Sequence, residues 1–142
     1  MNVKKWIDKN AKDLSGKVVA ITGATGDLAS NLCRYLLRFN AQIIMLDRNS
    51  KKSLALKDKL LAEFPDAKIE NIKLDLADMQ NVKQVCNRLE SVKIDFLILN
   101  AGVYNVPCVA TESGYNNIFQ INFVSNYYLV KKLLPSVRNS NG

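Results

Sequence analysis

An apolar run broken by two glycines constrains this chain more than any other feature: residues 17–31 read KVVAITGATGDLASN. Val18, Val19, Ala20 and Ile21 have the unbroken apolarity of a strand buried on both faces of a parallel sheet. Thr22, Gly23, Ala24, Thr25 and Gly26 interrupt it. An amphipathic pattern then begins at Asp27, a residue suited to cap a helix. Strand, glycine turn and helix in that order aim backbone N–H groups and the positive end of a helix dipole at one point, a place suited to a phosphate. The same glycines also serve an ordinary tight turn that needs positive φ. The surrounding sequence has to decide between the two.

The chain is 142 residues long, enough for one domain with a proper core. Residues 1–13 form an N-terminal helical extension, with a short charged helix over 2–12 turning Val3, Trp6 and Ile7 inward, and the domain proper runs over 14–142. After the glycine turn, Leu28, Leu32, Tyr35, Leu36 and Phe39 recur at helical spacing, and Asn40 is a stop. Residues 41–46 make a second strand that ends in Asp47, Arg48 and Asn49. Ser50 caps a helix whose apolar side carries Leu54, Leu60, Leu61 and Phe64, with Pro65 after its end. A third strand over 68–74 ends at Asp75 and Leu76. Asp78 caps the next helix, which turns Val82, Val85 and Leu89 inward. A fourth strand, 94–99, closes with Asn100, Ala101 and Gly102. A mixed loop then leads to a long helical pattern over 112–137, whose apolar positions cover more than one face.

Strands alternating with helices of this length predict an α/β fold: a doubly wound parallel sheet in the order 3-2-1-4, joined by right-handed crossovers. The switch point falls between strands 1 and 4, where a crevice opens at the strands' carboxyl ends. Every motif singled out here lies at such an end.

Composition removes several chemistries. There is no histidine, which excludes His-based triads and His-containing zinc sites. Cys33, Cys86 and Cys108 are scattered, so no metal site and no disulfide framework is expected, and a reducing cytoplasm fits. The longest apolar runs, such as 43–46 and 96–99, are four residues, too short to cross a membrane. The N-terminal MNVKKWIDKN has no apolar core for a secretory signal. The net charge is +7, yet its lysines alternate with acids or sit on polar helix faces, which predicts solvated helix surfaces and no nucleic-acid partner.

Asp47 lies about 20 residues past the glycine turn, where a carboxylate holds the ribose diol of NAD. Arg48 beside it suits the 2′-phosphate of NADP. A carboxylate aimed at the ribose repels that phosphate, and the glycine turn supplies no nearby Lys or Arg to compensate, so NAD is the preferred cofactor and NADP the alternative. A polar turn closing a strand would read the same way.

With these pieces placed, the chain from about Leu14 onward resembles the short-chain dehydrogenase/reductase family. The resemblance rests on LSGKVVAITGATG at the first strand, LDR after the second, LDLAD after the third, ILNAG after the fourth, and TESGYNNIFQINFVSNYYLVKKLLP in the long helix. It implies a Rossmann-like domain and hydride transfer between a nicotinamide dinucleotide and a small carbonyl or alcohol substrate. Thr22, Gly23 and Gly26 would line the pyrophosphate, with Ala24 and Thr25 in the loop. Asp75 would meet the adenine amino group, with Leu76 beside it, while Asn100, Ala101 and Gly102 would flank the adenine-side ribose. Ile121 would lie near the nicotinamide. Asn122 would be the helical asparagine that positions a water on the proton relay; a bridging amide inside a packed helix is its other reading.

Two departures from the family pattern stand out. Asp27 and Ala29 occupy positions where the family usually carries glycine, which sets a carboxylate at the anion site. The serine and Tyr-x-x-x-Lys pair that carry the family's proton transfer belong to a fifth strand and the helix after it, beyond the fourth-strand helix. Tyr127 with Lys131, and Tyr128 with Lys132, match the spacing on the wrong helix by coincidence. The chain therefore reads as a dinucleotide-binding portion, truncated before the fifth strand and inactive alone. It is expected to form a homo-oligomer through the 112–137 helix. The alternative is a non-catalytic dinucleotide-binding or oligomerisation module.

Overall fold

The computed structural model describes residues 3–138. Four strands make one parallel sheet: β1 (Val18–Thr22), β2 (Gln42–Asp47), β3 (Ile69–Lys73) and β4 (Phe96–Ile98), in the order β3-β2-β1-β4. The order is the one expected. Val19 pairs with both Ile43 and Phe96, so β1 is an interior strand, as is β2. β1 and β2 are buried on both faces beyond their first residues, which is why they read as unbroken apolar runs. The edge strand β3 is less buried, giving Ile69 to one core and Ile72 to the other while Glu70 and Lys73 are exposed.

Helices cover both faces. Ile21, Ile43 and Met45 point to one side, against Ala29, Cys33 and Leu37 of α2 (Asp27–Arg38) and Leu60 of α3 (Ser50–Glu63). Ala20, Ile44 and Leu46 point to the other. There they meet Val82, Val85 and Leu89 of α4 (Met79–Leu89), and Leu129 and Leu133 of the last helix. This period-2 division of one strand's side chains between two cores holds the layers together, each large aliphatic contributing about 1.5–3 kcal/mol by burial. At its amino end the sheet is tied by Asp95, whose carboxylate accepts the Val18 N–H at 2.9 Å and Lys17 Nζ at 2.9 Å.

Several helix ends differ from expectation. Gly26, extended at φ −72° and ψ 156°, is the N-cap of α2, and Asp27 is already its first helical residue. Asn49, not Ser50, caps α3, accepting from Lys52 N at 3.0 Å. Asp78 caps α4 as expected, accepting from the N–H groups of Gln80 and Asn81. Asn40, with φ at +66°, closes the end of α2, also as expected.

Three apolar residues expected inside are exposed. Trp6 of α1 (Val3–Asn10) and Leu54 of α3 face solvent, and Leu28 is 79 % exposed. The buried face of α2 runs Ala29, Cys33, Leu37, one position round from Leu28.

The long helix begins later than expected. Residues before Asn116 form a loop closed by an antiparallel bridge between Ala110 and Asn116. The helix then runs as α5 (Asn117–Phe119), a π-helical turn (Gln120–Val124) and α6 (Ser125–Arg138). Among the described residues the three cysteines are free, no cluster of His, Cys, Asp or Glu could hold a metal, and no helix is long and apolar enough to cross a membrane.

Candidate functional site

The carboxyl ends of all four strands open into one cleft of about 500 Å³. Every cofactor residue expected from the sequence lines it except Ala24, which is buried beneath the turn.

β1 delivers the glycine turn. Gly23 adopts φ +67°, and a Cβ there would stand 3.0 Å from the Ala101 Cβ. Both the backbone angle and the approach of the fourth-strand loop therefore require glycine. Gly23 N donates to Leu46 O, and Gly26 N to Gly23 O, so the turn is fixed from within. No side chain caps α2, whereas Asn49 and Asp78 cap the two helices that follow. The N-terminus of α2 thus faces the cleft with donors that no side chain satisfies, a fit for a diphosphate. The Asp27 carboxylate stands at the same point.

β2 ends in Asp47, which is only 2 % exposed. Its Oδ1 accepts from Thr25 N at 3.0 Å and from Thr25 Oγ1 at 3.2 Å, and its Oδ2 accepts from Ser53 Oγ at 2.8 Å. Asn71 Nδ2 on β3 donates in turn to Ser53 Oγ at 2.9 Å. Asp47 is therefore a brace beneath the glycine turn. Arg48, Asn49 and Lys52 line the same end of the cleft. Lys52 went unnoticed in the sequence because it sits on the polar side of a helix rich in lysine. Its position, three residues past the Asn49 cap, is the signal that finds it.

β3 leads to Asp75, whose N–H donates to Asn81 Oδ1 at 2.7 Å and whose Oδ1 accepts from Ala77 N at 2.9 Å. Leu76 and Ile121 add apolar surface to the lining. β4 leads to Asn100, Ala101 and Gly102. Asn100 Nδ2 donates to the carbonyls of Thr22 and Gly23 at 3.1 and 3.2 Å, so this side chain fastens the turn to the neighbouring strand.

Asn122 lies just outside the main cleft, in a shallower depression with Gly102, Val103 and Asn126. Its Oδ1 accepts from Val103 N, and its Nδ2 donates to Val103 O, both at 2.8 Å. A Cβ at Gly102 would come within 3.3 Å of that oxygen, so glycine is what lets the amide close against the loop. The helical asparagine is a bridging amide here, and its side chain has both ends engaged. The backbone carbonyl of Asn122 accepts from Asn126 Nδ2 at 3.2 Å, in a turn whose π geometry shifts the usual helical pairing.

Comparison with known proteins follows the same lines. The profile of the short chain dehydrogenase family matches residues 17–142. An oxidoreductase of Schizosaccharomyces pombe, described as uncharacterized, is 31 % identical over 142 residues, covering 99 % of this chain and 42 % of that protein. A solved structure from Mycobacterium paratuberculosis superposes with a TM-score of 0.79 at 29 % identity, over 90 % of this chain and 45 % of that one. A short chain dehydrogenase of Shigella flexneri, solved in complex with NADP, superposes with a TM-score of 0.71 at 25 % identity, over 87 % of this chain and 55 % of that one. The chain spans 42 % of the length of the Schizosaccharomyces pombe relative and about half of each of the two solved chains.

Proposed function

Since the chain belongs to the short chain dehydrogenase family, we propose that it forms the dinucleotide-binding portion of an oxidoreductase that moves hydride between a nicotinamide cofactor and a small carbonyl or alcohol substrate. The observation that carries this is the convergence of Gly23, Asp75 and Asn100 on one cleft at the ends of three parallel strands. The uncapped N-terminus of α2 takes the pyrophosphate. The Asp75 turn and Leu76 take the adenine, Asn100 to Gly102 flank the ribose, and Ile121 borders the nicotinamide. When bound, the cofactor supplies the hydride. These residues orient it, and Asn122 holds the Val103 loop beside the reacting end.

The 2′ end of the adenosine decides between NAD and NADP. Asp47 favoured NAD in the sequence, but its carboxylate is buried and engaged by Thr25 and Ser53. Arg48 and Lys52 remain as the two cations on that rim. The rim therefore favours NADP, with the guanidinium and the ammonium meeting the 2′-phosphate.

No serine and no tyrosine are among the residues that line the cleft, and binding without turnover by this chain is part of the proposal. A homo-oligomer is also part of the proposal. Tyr115, Phe119, Phe123 and Tyr127 present an exposed ladder of rings, with Phe119 and Phe123 stacked at 5.3 Å. Calorimetric titration with NADP, NAD and ADP, beside an assay of NADPH oxidation with simple ketones, tests the reading. Saturable binding without oxidation is expected. Absence of binding by all three at millimolar concentration contradicts the dinucleotide site, and turnover contradicts the assignment as a binding portion alone.

A further inference from the structure

The π-helical turn ties the turn after β3, which lines the cleft, to the loop after β4 through one side chain. Gln120 is fully buried, at 0 % exposure. Its Nε2 donates to Ala77 O at 2.7 Å and to Leu76 O at 3.2 Å, in the turn that follows β3. Its Oε1 accepts from Thr111 Oγ1 at 2.5 Å, in the loop that follows β4. Both amide hydrogens and the carbonyl oxygen are thus engaged, and on opposite sides. A buried amide so placed transmits position, because moving either partner leaves a polar group unpaired in a dry site.

The neighbouring contacts separate the two arms. The Leu76 carbonyl also accepts from Ser125 Oγ at 2.6 Å, so the β3 turn has a second tie to the helix. On the loop side, Thr111 N donates to Tyr115 O and Gly114 N donates to Thr111 O, so Thr111 organises the whole segment that Gln120 holds. We propose that Gln120 is a positioning residue that couples the Asp75–Leu76–Ala77 wall to the loop carrying Thr111, so that filling the adenine side orders the loop. Within the dinucleotide reading above, on which the ligand half of this inference rests, the loop after β4 is placed to border the substrate. Gln120 would then make loop order depend on cofactor.

Amide hydrogen exchange on the full chain tests the coupling with and without ADP as the probe. In the free protein, Gln120→Leu is expected to speed exchange at Ala77, Asp78, Thr111 and Gly114 by about tenfold, the loss of one or two buried hydrogen bonds, while Val19 to Thr22 in β1 keep their rates. With ADP, both segments of the wild-type protein slow, whereas in the variant only the Asp75 side slows. Thr111→Val cuts the loop arm alone and is milder. It is expected to free Gly114 without changing Ala77, and it decides the matter if Gln120→Leu does not fold. Unchanged rates at Thr111 and Gly114 in the folded variants overturn the coupling, as does equal slowing of the loop by ADP with and without Gln120. If ADP slows nothing in the wild-type chain, the dinucleotide reading fails, while the free-protein rates still decide the role of Gln120.

Discussion

Thr22 and Asn100 lock together across the mouth of the cleft through two hydrogen bonds, both donated by Asn100. The Asn100 backbone N–H donates to Thr22 Oγ1 at 3.0 Å, and its side-chain amide donates to Thr22 O at 3.1 Å. The same hydroxyl also accepts from Ala101 N at 3.0 Å. One threonine thereby satisfies the end of β4 and fixes the glycine turn against it. The ends of β1 and β4 are a single unit at this point.

Replacing Thr22 by Val keeps the shape and removes the acceptor. Two backbone N–H groups then lose their partner in a site where Thr22 itself is fully buried. The expected loss is about 2 kcal/mol of stability, at the cost of an unmet buried donor for each N–H. Urea denaturation of Thr22→Val and Thr22→Ser tests it: serine keeps the hydroxyl and should recover most of the loss.

Asp27 opposes the ligand that its own helix invites. Its carboxylate stands at the uncapped N-terminus of α2, where it offsets the helix dipole and repels a pyrophosphate. Asp27→Asn is expected to tighten ADP several-fold, with the gain fading as salt is raised. A calorimetric affinity equal to wild type at low ionic strength would show that the phosphates bind elsewhere.

Cofactor choice follows from Arg48 and Lys52. Arg48→Ala is expected to weaken NADP by ten- to a hundredfold and NAD by less than threefold, with Lys52→Ala producing a smaller change in the same direction. Equal loss for both cofactors would remove the 2′-phosphate from this rim.

The three thiols should separate cleanly in reactivity. Burial first, and then the Asp47 charge, push the Cys33 thiol up to about 12. Burial likewise pushes Cys86 up to about 11, with Lys132 opposing it. Neither carries appreciable thiolate at pH 8, while Cys108 is exposed. Iodoacetamide at that pH should modify Cys108 alone in the folded chain. Rates at Cys33 and Cys86 should rise only above pH 10 or on unfolding, as mass spectrometry of tryptic peptides would read.

The sheet was legible because its signal is local. A strand buried on both faces must be apolar throughout, so 18–21 and 43–46 announce themselves, and the turns between them carry glycine, aspartate and asparagine for reasons of backbone angle. The cleft followed from strand order alone. What escaped depends on contacts distant in sequence. That both carboxylate oxygens of Asp47 are engaged emerges only once Thr25 and Ser53 are brought against it. Leu28 and Ala29 differ by one position on a helix face, and only packing on the sheet chooses between them. The π turn carries no composition of its own. Within it Gln120 reaches Ala77 and Thr111, and Asn122 reaches Val103, contacts that exist only in three dimensions. The late start of the final helix has the same origin: the bridge from Ala110 to Asn116 takes up residues whose spacing alone suits a helix.

Chemical-shift mapping of the amides of the chain during titration with NADP tests the central claim most directly. Saturable shifts are expected to cluster at Gly23 to Leu28, Arg48 to Lys52, Asp75 to Ala77 and Asn100 to Val103, and to be abolished by Gly23→Val. Shifts scattered over the helix surfaces, or centred on the exposed aromatic ladder and indifferent to Gly23→Val, would contradict it.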